Sequence, residues 1–410
     1  MNRWGVLAGL MLVYAATNGI VVHTLPLLYP ALGDAFGWTT AQLTLPATVF
    51  FIFGAITSPP AGVLLDRYSP RMLMGIGVVG LLLGLAAYAW VSSLWQLVAL
   101  YLLFGLMLSL CGLATSMVIL TRWFHRHRGK ATGLLLMASS AGGALFPLIL
   151  GAGLERGDWR TALLWMTGVG AIMTLPALVL LIKDRQLGAT GARQPQPTGM
   201  PPTGPTLAEA LRSSRFYLIA VATAALWFSI VALLQHQALY LGRDVGVDRS
   251  LLPPMFSLFF ACSIVGKLLF GWVSDYLHKE IAMVLSIALL AAGLILLGQI
   301  TAAATNLLYI YALVTGIGFS GAFTMVQLLI AEHFAGPSYG KILTIVVMLD
   351  SLAGGAGTRV VALLRDRSGN YDTALMLLLV VCGLAMICVL LVLFRARMPI
   401  TSSTVKENPL

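Results

Sequence analysis

Residues 261–280 read ACSIVGKLLFGWVSDYLHKE and combine the costliest side chain of the sequence with its clearest turn. Lys267 stands inside an otherwise apolar run. A charge at that depth in a bilayer costs about 3 kcal/mol or more, so an intramembrane lysine implies a function that compensates it. A few residues on, the run ends in Gly271, Ser274 and Asp275, where a membrane span meets its aqueous edge.

The rest of the chain repeats this pattern of apolar runs and short polar turns. Of 410 residues, 59% are hydrophobic and only 10% charged, a balance that excludes a soluble domain and predicts a polytopic membrane protein. A span needs about 20 apolar residues. Such runs are expected at Trp4 to Leu28, Trp38 to Leu65, Met72 to Val91, Leu94 to Leu120, Ala131 to Gly153, Thr161 to Ile182, Phe216 to Leu241, Leu251 to Val273, Ile281 to Ile300, Leu307 to Ala331, Ile342 to Leu364 and Ala374 to Phe394. Backbone groups in lipid must bond within their own span, so the runs are predicted helices and the fold class an all-α membrane protein. The first run is too long for a signal-peptide core and no small-residue cleavage site follows it, so it is read as retained.

Charge placement sets the expected orientation. With the N-terminus inside, the inner segments collect Arg3, Arg67, Arg71, Arg122, Arg126, Arg128, Lys130, Lys183, Arg185, Arg193, Lys279, Lys341 and Lys406, among others, while the outer ones hold Arg156, Arg160, Arg243, Arg249, Arg359, Arg365 and Arg367. That bias predicts both termini cytoplasmic and a multi-pass protein of the plasma (inner) membrane. The net charge of +10 is thus mainly a topology signal that also favours anionic lipid. Spread over short loops, it gives no support to nucleic-acid binding. Cys111, Cys262, Cys382 and Cys388 lie within spans and suggest neither disulfides nor a metal site.

One long polar segment, 183–215, contains QPQPTGMPPTGPT and reads as a flexible cytoplasmic tether with a short amphipathic stretch, Leu207 to Leu211, before the seventh span. It separates an expected six-helix bundle at 1–182 from a second at 216–398, with a cytoplasmic tail at 399–410. The halves are related. Gly62-x-x-x-Asp66 recurs as Gly271-x-x-x-Asp275, and Phe124 before Gly129-Lys130 recurs as Phe334 before Gly340-Lys341. Repeats of this kind place a shared pathway at the interface of the halves, near the midplane.

These residues carry a resemblance. The chain resembles a twelve-helix transporter of the major facilitator superfamily over nearly its full length, two six-helix halves related by a pseudo-two-fold axis. Gly62-Val-Leu-Leu-Asp66-Arg67-Tyr-Ser-Pro-Arg71 is similar to that superfamily's loop signature between spans 2 and 3, with Ser69 in place of the usual Gly. Phe36-Gly37-Trp38, Arg122-Trp123-Phe124, Arg128-Gly129-x-Ala131-x-Gly133, Ala331-Glu332-His333-Phe334 and Gly369-Asn370-Tyr371 are similar to the monocarboxylate and oxalate/formate branch. The resemblance implies that Asp66, Arg67, Arg71, Asp275 and Arg128 serve gating. It also places Lys267 where that branch carries an arginine for the substrate carboxylate. Lysine is a point charge rather than a fork, so recognition is expected to be looser. Ser263 stands where the branch has a companion acid, and the first span offers Asn18 and His23 instead of the branch's charged residues.

A substitute acid is available. Counted at 1.5 Å per residue, Asp350 lies about 16 Å and Lys267 about 9–12 Å from the inner ends of their spans, a difference a lysine stem covers. A Lys267–Asp350 pair is therefore expected, opened by a substrate anion as Asp350 takes a proton. His23 and His236 are candidate titrating groups of the outer third. Asn18 and Gln327 are candidate cavity hydrogen-bonders, and Arg359 either attracts anions or caps a loop. The expected function is secondary active transport of a small organic anion by alternating access, coupled to protons. The alternatives are a proton-coupled exporter of a lipophilic or cationic compound, with Asp350 as the binding acid, and a transporter-like sensor. The partners are the anion, the proton and the lipid bilayer. No cofactor, metal or enzyme chemistry is expected, since no metal-ligand spacing, nucleophile elbow or nucleotide loop occurs.

Overall fold

The computed structural model describes residues 2–124, 127–183, 204–303, 305–336 and 338–397. Among them, twelve helices are long and apolar enough to cross a membrane: α1 (Arg3–Phe36), α2 (Thr40–Arg67), α3 (Pro70–Tyr88), α4 (Leu94–Trp123), α5 (Arg128–Arg156), α6 (Trp159–Leu181), α7 (Ser214–Val245), α8 (Arg249–Tyr276), α9 (Lys279–Gln299), α10 (Asn306–Phe334), α11 (Tyr339–Ser368) and α12 (Asp372–Phe394). Among the described residues there is no strand. Most of the expected tether at 183–215, with Arg185 and Arg193, lies outside the described residues, as do Arg126 and the tail with Lys406. The expected stretch after the tether forms a short helix, Leu207–Arg212, opened by a reciprocal cap between Thr206 and Glu209.

Local chemistry explains the helix ends. Thr39 and Gln42 form a capping box that starts α2, and Ser93 and Gln96 do the same for α4. Ser69 caps α3, with Pro70 in the first turn where its missing N–H costs nothing. Asp158 accepts from Thr161 N to open α6. One boundary differs from expectation. The first span does not stop at Leu28 but continues through a π segment (Gly19–Thr24) and a 3-10 turn (Leu25–Leu28) to Phe36, where Gly37 ends it at φ 68°. Pro26 and Pro30 fall at the starts of successive helical pieces, where proline is tolerated, so they re-pitch the helix rather than end it.

The halves α1–α6 and α7–α12 meet chiefly through two antiparallel pairs, α2 with α11 and α5 with α8. The sequence repeat carries α2 onto α8 and α11 onto α5, so the two pairs are one contact used twice. Gly355 of α11 lies against Thr48, Phe51 and Ile52 of α2, while Gly143 and Gly151 of α5 lie against Phe260 and Pro253 of α8.

Both described chain ends lie at one face of the bundle, called here the terminal face; the opposite one is the far face. Several bonds cross between the halves near the far face. Tyr29 donates to Gln235 (2.8 Å), Arg249 pairs with Asp34, Ala41 N–H donates to Asp366 (2.9 Å), and Arg359 donates to the Ala41 carbonyl (2.9 Å). Burial follows the same gradient. Most buried residues of α2 fall between Thr40 and Phe50, with only Ala55, Ala61 and Leu65 beyond, and α11 buries Asp350 to Ala362 but only Ile342 and Val346 nearer its start. The halves are therefore closed at the far face and part toward the terminal face.

Within the first half, α1 and α5 cross at glycines. The Ala15 carbonyl occupies the space a side chain on Gly142 would need, whereas Gly133 faces open space. Overpacking such a crossing costs about 1–3 kcal/mol. Gly142→Val is expected to lower the Tm of the detergent-solubilised protein by several degrees and Gly133→Ala to leave it unchanged. Equal Tm values for the two variants would refute the crossing.

Candidate functional site

Lys267 reaches across the seam between the halves. From α8 its Nζ donates to the Leu136 carbonyl (2.8 Å) and to Ser140 Oγ (2.7 Å), both on α5, and it stands over the Phe323 ring of α10 at 5.2 Å from the centroid. Among the described residues no carboxylate lies within ion-pair distance of it. Two neutral acceptors and an aromatic face hold the ammonium and leave its charge unneutralised.

The residue beside Ser140 organises a second group. His23, in the π segment of α1, is buried and places Nε2 3.0 Å from Ser139 Oγ, with its ring 4.2 Å from that of Phe260. Tyr14, also on α1, lies beside the same serine. Nδ1 of His23 is buried with no hydrogen-bond partner among the described residues. Four helices thus converge on one cluster: α1 with His23 and Tyr14, α5 with Ser139 and Ser140, α8 with Lys267 and Phe260, and α10 with Phe323. Single-turn π segments in long helices recur at functional sites, and here one sits where α1 passes closest to α5.

The expected Lys267–Asp350 pair is not formed. Asp350 is buried on α11 and faces Thr223 of α7, with Oδ1 free of partners. The helices explain this: α8 packs on α10 and α5, and α11 on α7 and α2, so the two side chains leave their helices toward different neighbours. What joins the two regions is aromatic. Trp227, one turn beyond Thr223 on α7, meets Phe323 edge-on at 5.9 Å between centroids.

The other candidates separate from the cluster. His236 places Nδ1 2.9 Å from Tyr371 Oη and Nε2 2.9 Å from the Thr358 carbonyl, which engages both ring nitrogens within the second half. Arg359 neither caps a loop nor stands free: it binds the Ala41 carbonyl across the halves. Asn18 is half-buried at the start of the π segment, and Gln327 is half-buried one turn beyond Phe323, each with no side-chain hydrogen bond to described residues. Ser139, Ser140 and Tyr14 were not among the expected site residues. The two serines had a signal in the repeat, since the offset that takes Gly129-Lys130 to Gly340-Lys341 also takes Ser139 to Asp350 and Ser140 to Ser351; Tyr14 had none there.

Comparison with known proteins agrees with this architecture. The sequence profile described as Major Facilitator Superfamily matches residues 7–239 and again 236–409. The chain belongs to that superfamily. It is a multi-pass membrane transporter by family and not an enzyme. Monocarboxylate transporter 13 of Bos taurus is 28% identical over 355 residues, covering 83% of this chain and 78% of the relative. The membrane sensor protein UhpC of Salmonella typhimurium is 27% identical over 270 residues, covering 59% of this chain; the match spans 57% of UhpC. The crystal structure of a bacterial homolog of the human lysosomal transporter Spinster, inward-facing and occupied, superposes with a TM-score of 0.74 at 15% identity over 96% of this chain and 97% of the other.

In this superfamily member the five residues expected to gate all lie at the terminal face, and a different set of contacts holds the far face. At the terminal face Asp66, Arg67 and Asp275 are exposed and Arg128 half-buried, with no bond to another described side chain, while Arg71 donates to the Leu178 and Val179 carbonyls at the end of α6. At the far face, Asp366 caps the first turn of α2 in trans, placing a carboxylate at the positive end of that helix, and Arg359 holds the carbonyl of the same residue. Removing both contacts with Arg359→Ala and Asp366→Ala is expected to raise amide hydrogen exchange in the first turn of α2 by about tenfold or more, read by mass spectrometry. Unchanged exchange there would mean that the clamp does not hold the far face closed.

Proposed function

We propose that this chain is a secondary active transporter that moves a small organic anion, monocarboxylate-like in size, by alternating access and with proton coupling. The observation that carries the proposal is the ammonium of Lys267 at the seam of the halves, held by Leu136 and Ser140 with no acid beside it among the described residues. A buried cation supported by neutral acceptors leaves its charge to an arriving anion. Such an anion approaches through the parted terminal face and meets Lys267 beside Phe323, with Gln327 one turn along α10 and Asn18 on α1 as candidate hydrogen-bonders. The halves at 1–182 and 216–398 then rock about the α2–α11 and α5–α8 pairs, tethered by 183–215 and followed by the tail at 399–410. Asp66, Arg67, Arg71, Asp275 and Arg128 latch the terminal face in the opposite state. In this reading the protein lies in the plasma (inner) membrane with both termini cytoplasmic, the orientation the arginine and lysine bias supports.

A second reading has its own observation. Asp350 is buried with one oxygen unpartnered, beside an α7 face that carries Trp227, which suits a proton-coupled exporter of a lipophilic cation. Substrate charge separates the two.

In proteoliposomes with radiolabelled acetate, lactate and oxalate, Lys267→Ala is expected to cut uptake by about tenfold or more and Lys267→Glu to abolish it, the latter by adding like-charge repulsion to lost attraction. Wild-type uptake rates in both variants would end the anion reading. Transport of cationic dyes lost in Asp350→Asn but intact in Lys267→Glu would establish the second reading instead.

A further inference from the structure

We infer that His23 is the proton carrier of the transport cycle, and that an anion bound at Lys267 is what admits the proton. The inference deepens the anion reading and rests on it. Three observations place His23 in that role. It shares the cluster with Lys267 through adjacent serines of one helix, Nε2 on Ser139 and Nζ on Ser140. Its Nδ1 is buried without a partner, and in the tautomer that donates Nε2–H to Ser139 this nitrogen carries a bare lone pair. Among the described residues the groups around it contain no acid: α8 contributes Lys267, its own helix Tyr14, and α5 only hydroxyls.

The coupling follows from charge. Imidazolium and ammonium side by side, in a site with no carboxylate, would place two positive charges where desolvation makes each costly. One bound carboxylate cancels the charge of Lys267 and supplies an oxygen that can accept from a new N–H. A proton from solution then adds to the lone pair of Nδ1, with no other bond made or broken. The loaded site holds Lys267⁺, His23⁺ and the anion, and on release at the other face both passengers leave. Neither ligand is comfortable without the other, which is the thermodynamic content of symport. Asp350 cannot fill this role as directly, because it faces α7 and is not in ion-pair contact with Lys267, so occupancy of the ammonium changes little around it.

The test uses the full-length protein in proteoliposomes and in detergent, with whichever of radiolabelled acetate, lactate or oxalate the wild type accumulates most. In the wild type, calorimetric titration of that anion in two buffers of different ionisation enthalpy is expected to reveal uptake of about one proton per anion bound near neutral pH. In His23→Gln, which keeps a donor for Ser139 but cannot be protonated, the accumulation ratio driven by a pH gradient should fall to near one, while exchange of labelled for unlabelled anion without a gradient falls by no more than a few-fold. Asp350→Asn should still accumulate the probe in response to the gradient. Anion binding by the wild type with no proton uptake overturns the inference whatever the variants do. So does gradient-driven accumulation by His23→Gln, or loss of exchange and accumulation together in a variant that remains monodisperse. If the wild type neither binds nor moves any of the three anions, the anion reading itself has failed and the proton inference fails with it.

Discussion

A charged nitrogen inside a bilayer has to find acceptors, and Lys267 finds them on the opposite half of the molecule. That bond constrains much else. For Nζ to reach a backbone carbonyl of α5, the two helices must lie close and the carbonyl must be accessible, which small residues provide: Ser139-Ser140-Ala141-Gly142-Gly143 runs along α5 at this level. On one side of the run Gly142 lets α1 approach until its Ala15 carbonyl fills the space of a missing side chain. On the other, Gly143 receives the ring of Phe260. A single stretch of small residues thus sets the distance of both neighbours and positions His23 and Lys267 on adjacent serines. In lipid, where no hydrophobic force draws helices together, such close approach supplies packing and hydrogen bonding at once.

The sequence made much of the architecture legible because membrane helices obey two strong rules, length and internal hydrogen bonding. All twelve spans could be placed, while the caps at Thr39, Ser69 and Ser93 that fix three of their starts emerge only in the structure. The first span was expected to end at Leu28 but runs on to Phe36, because Pro26 and Pro30 stand at the starts of helical pieces, where proline is tolerated. The site was half legible. Lys267 and His23 stand out because charge and imidazole are rare in apolar runs. Ser139 and Ser140 do not, because a hydroxyl in a span can always bond to its own preceding turn and so carries little signal. The Lys267–Asp350 expectation failed for a geometric reason. Counting residues gives depth along a helix but not the direction in which a side chain leaves it, and these two leave toward different partners.

The internal repeat clarifies why. Ser139 and Asp350 occupy equivalent positions in the two halves, one on α5 and one on α11. The first half presents a hydroxyl to the cluster. The second presents a carboxylate to α7, where its equivalent partner helix is packed. Duplication has left two similar niches, and the chain has given them different chemistry: a cation with neutral supports in one, an isolated acid in the other. That asymmetry is expected of a pathway in which the two halves no longer treat a passenger alike, and it separates the anion reading from the cation reading at the level of single residues.

The α2–α11 pair shows how the closed face is held. The helices run antiparallel, and a constant register places Ala41 opposite Asp366 and Ile52 opposite Gly355. Carried onward, that register sets Asp66 opposite Lys341, at the first turn of α11. Each helix therefore ends in an aspartate aligned with the positive N-terminal end of the other. At the far face the contact is made, with Asp366 on the Ala41 amide. At the terminal face Asp66 is exposed and unbonded. Two rigid helices in contact near Ile52 and Gly355 and splayed beyond cannot satisfy both ends at once. In the proposed cycle, closing the terminal end about that contact draws the far end apart. In the proposed alternating-access cycle the loop signature around Asp66 and the clamp at Asp366 act as opposite ends of one lever, with the far end engaged in the conformation seen here.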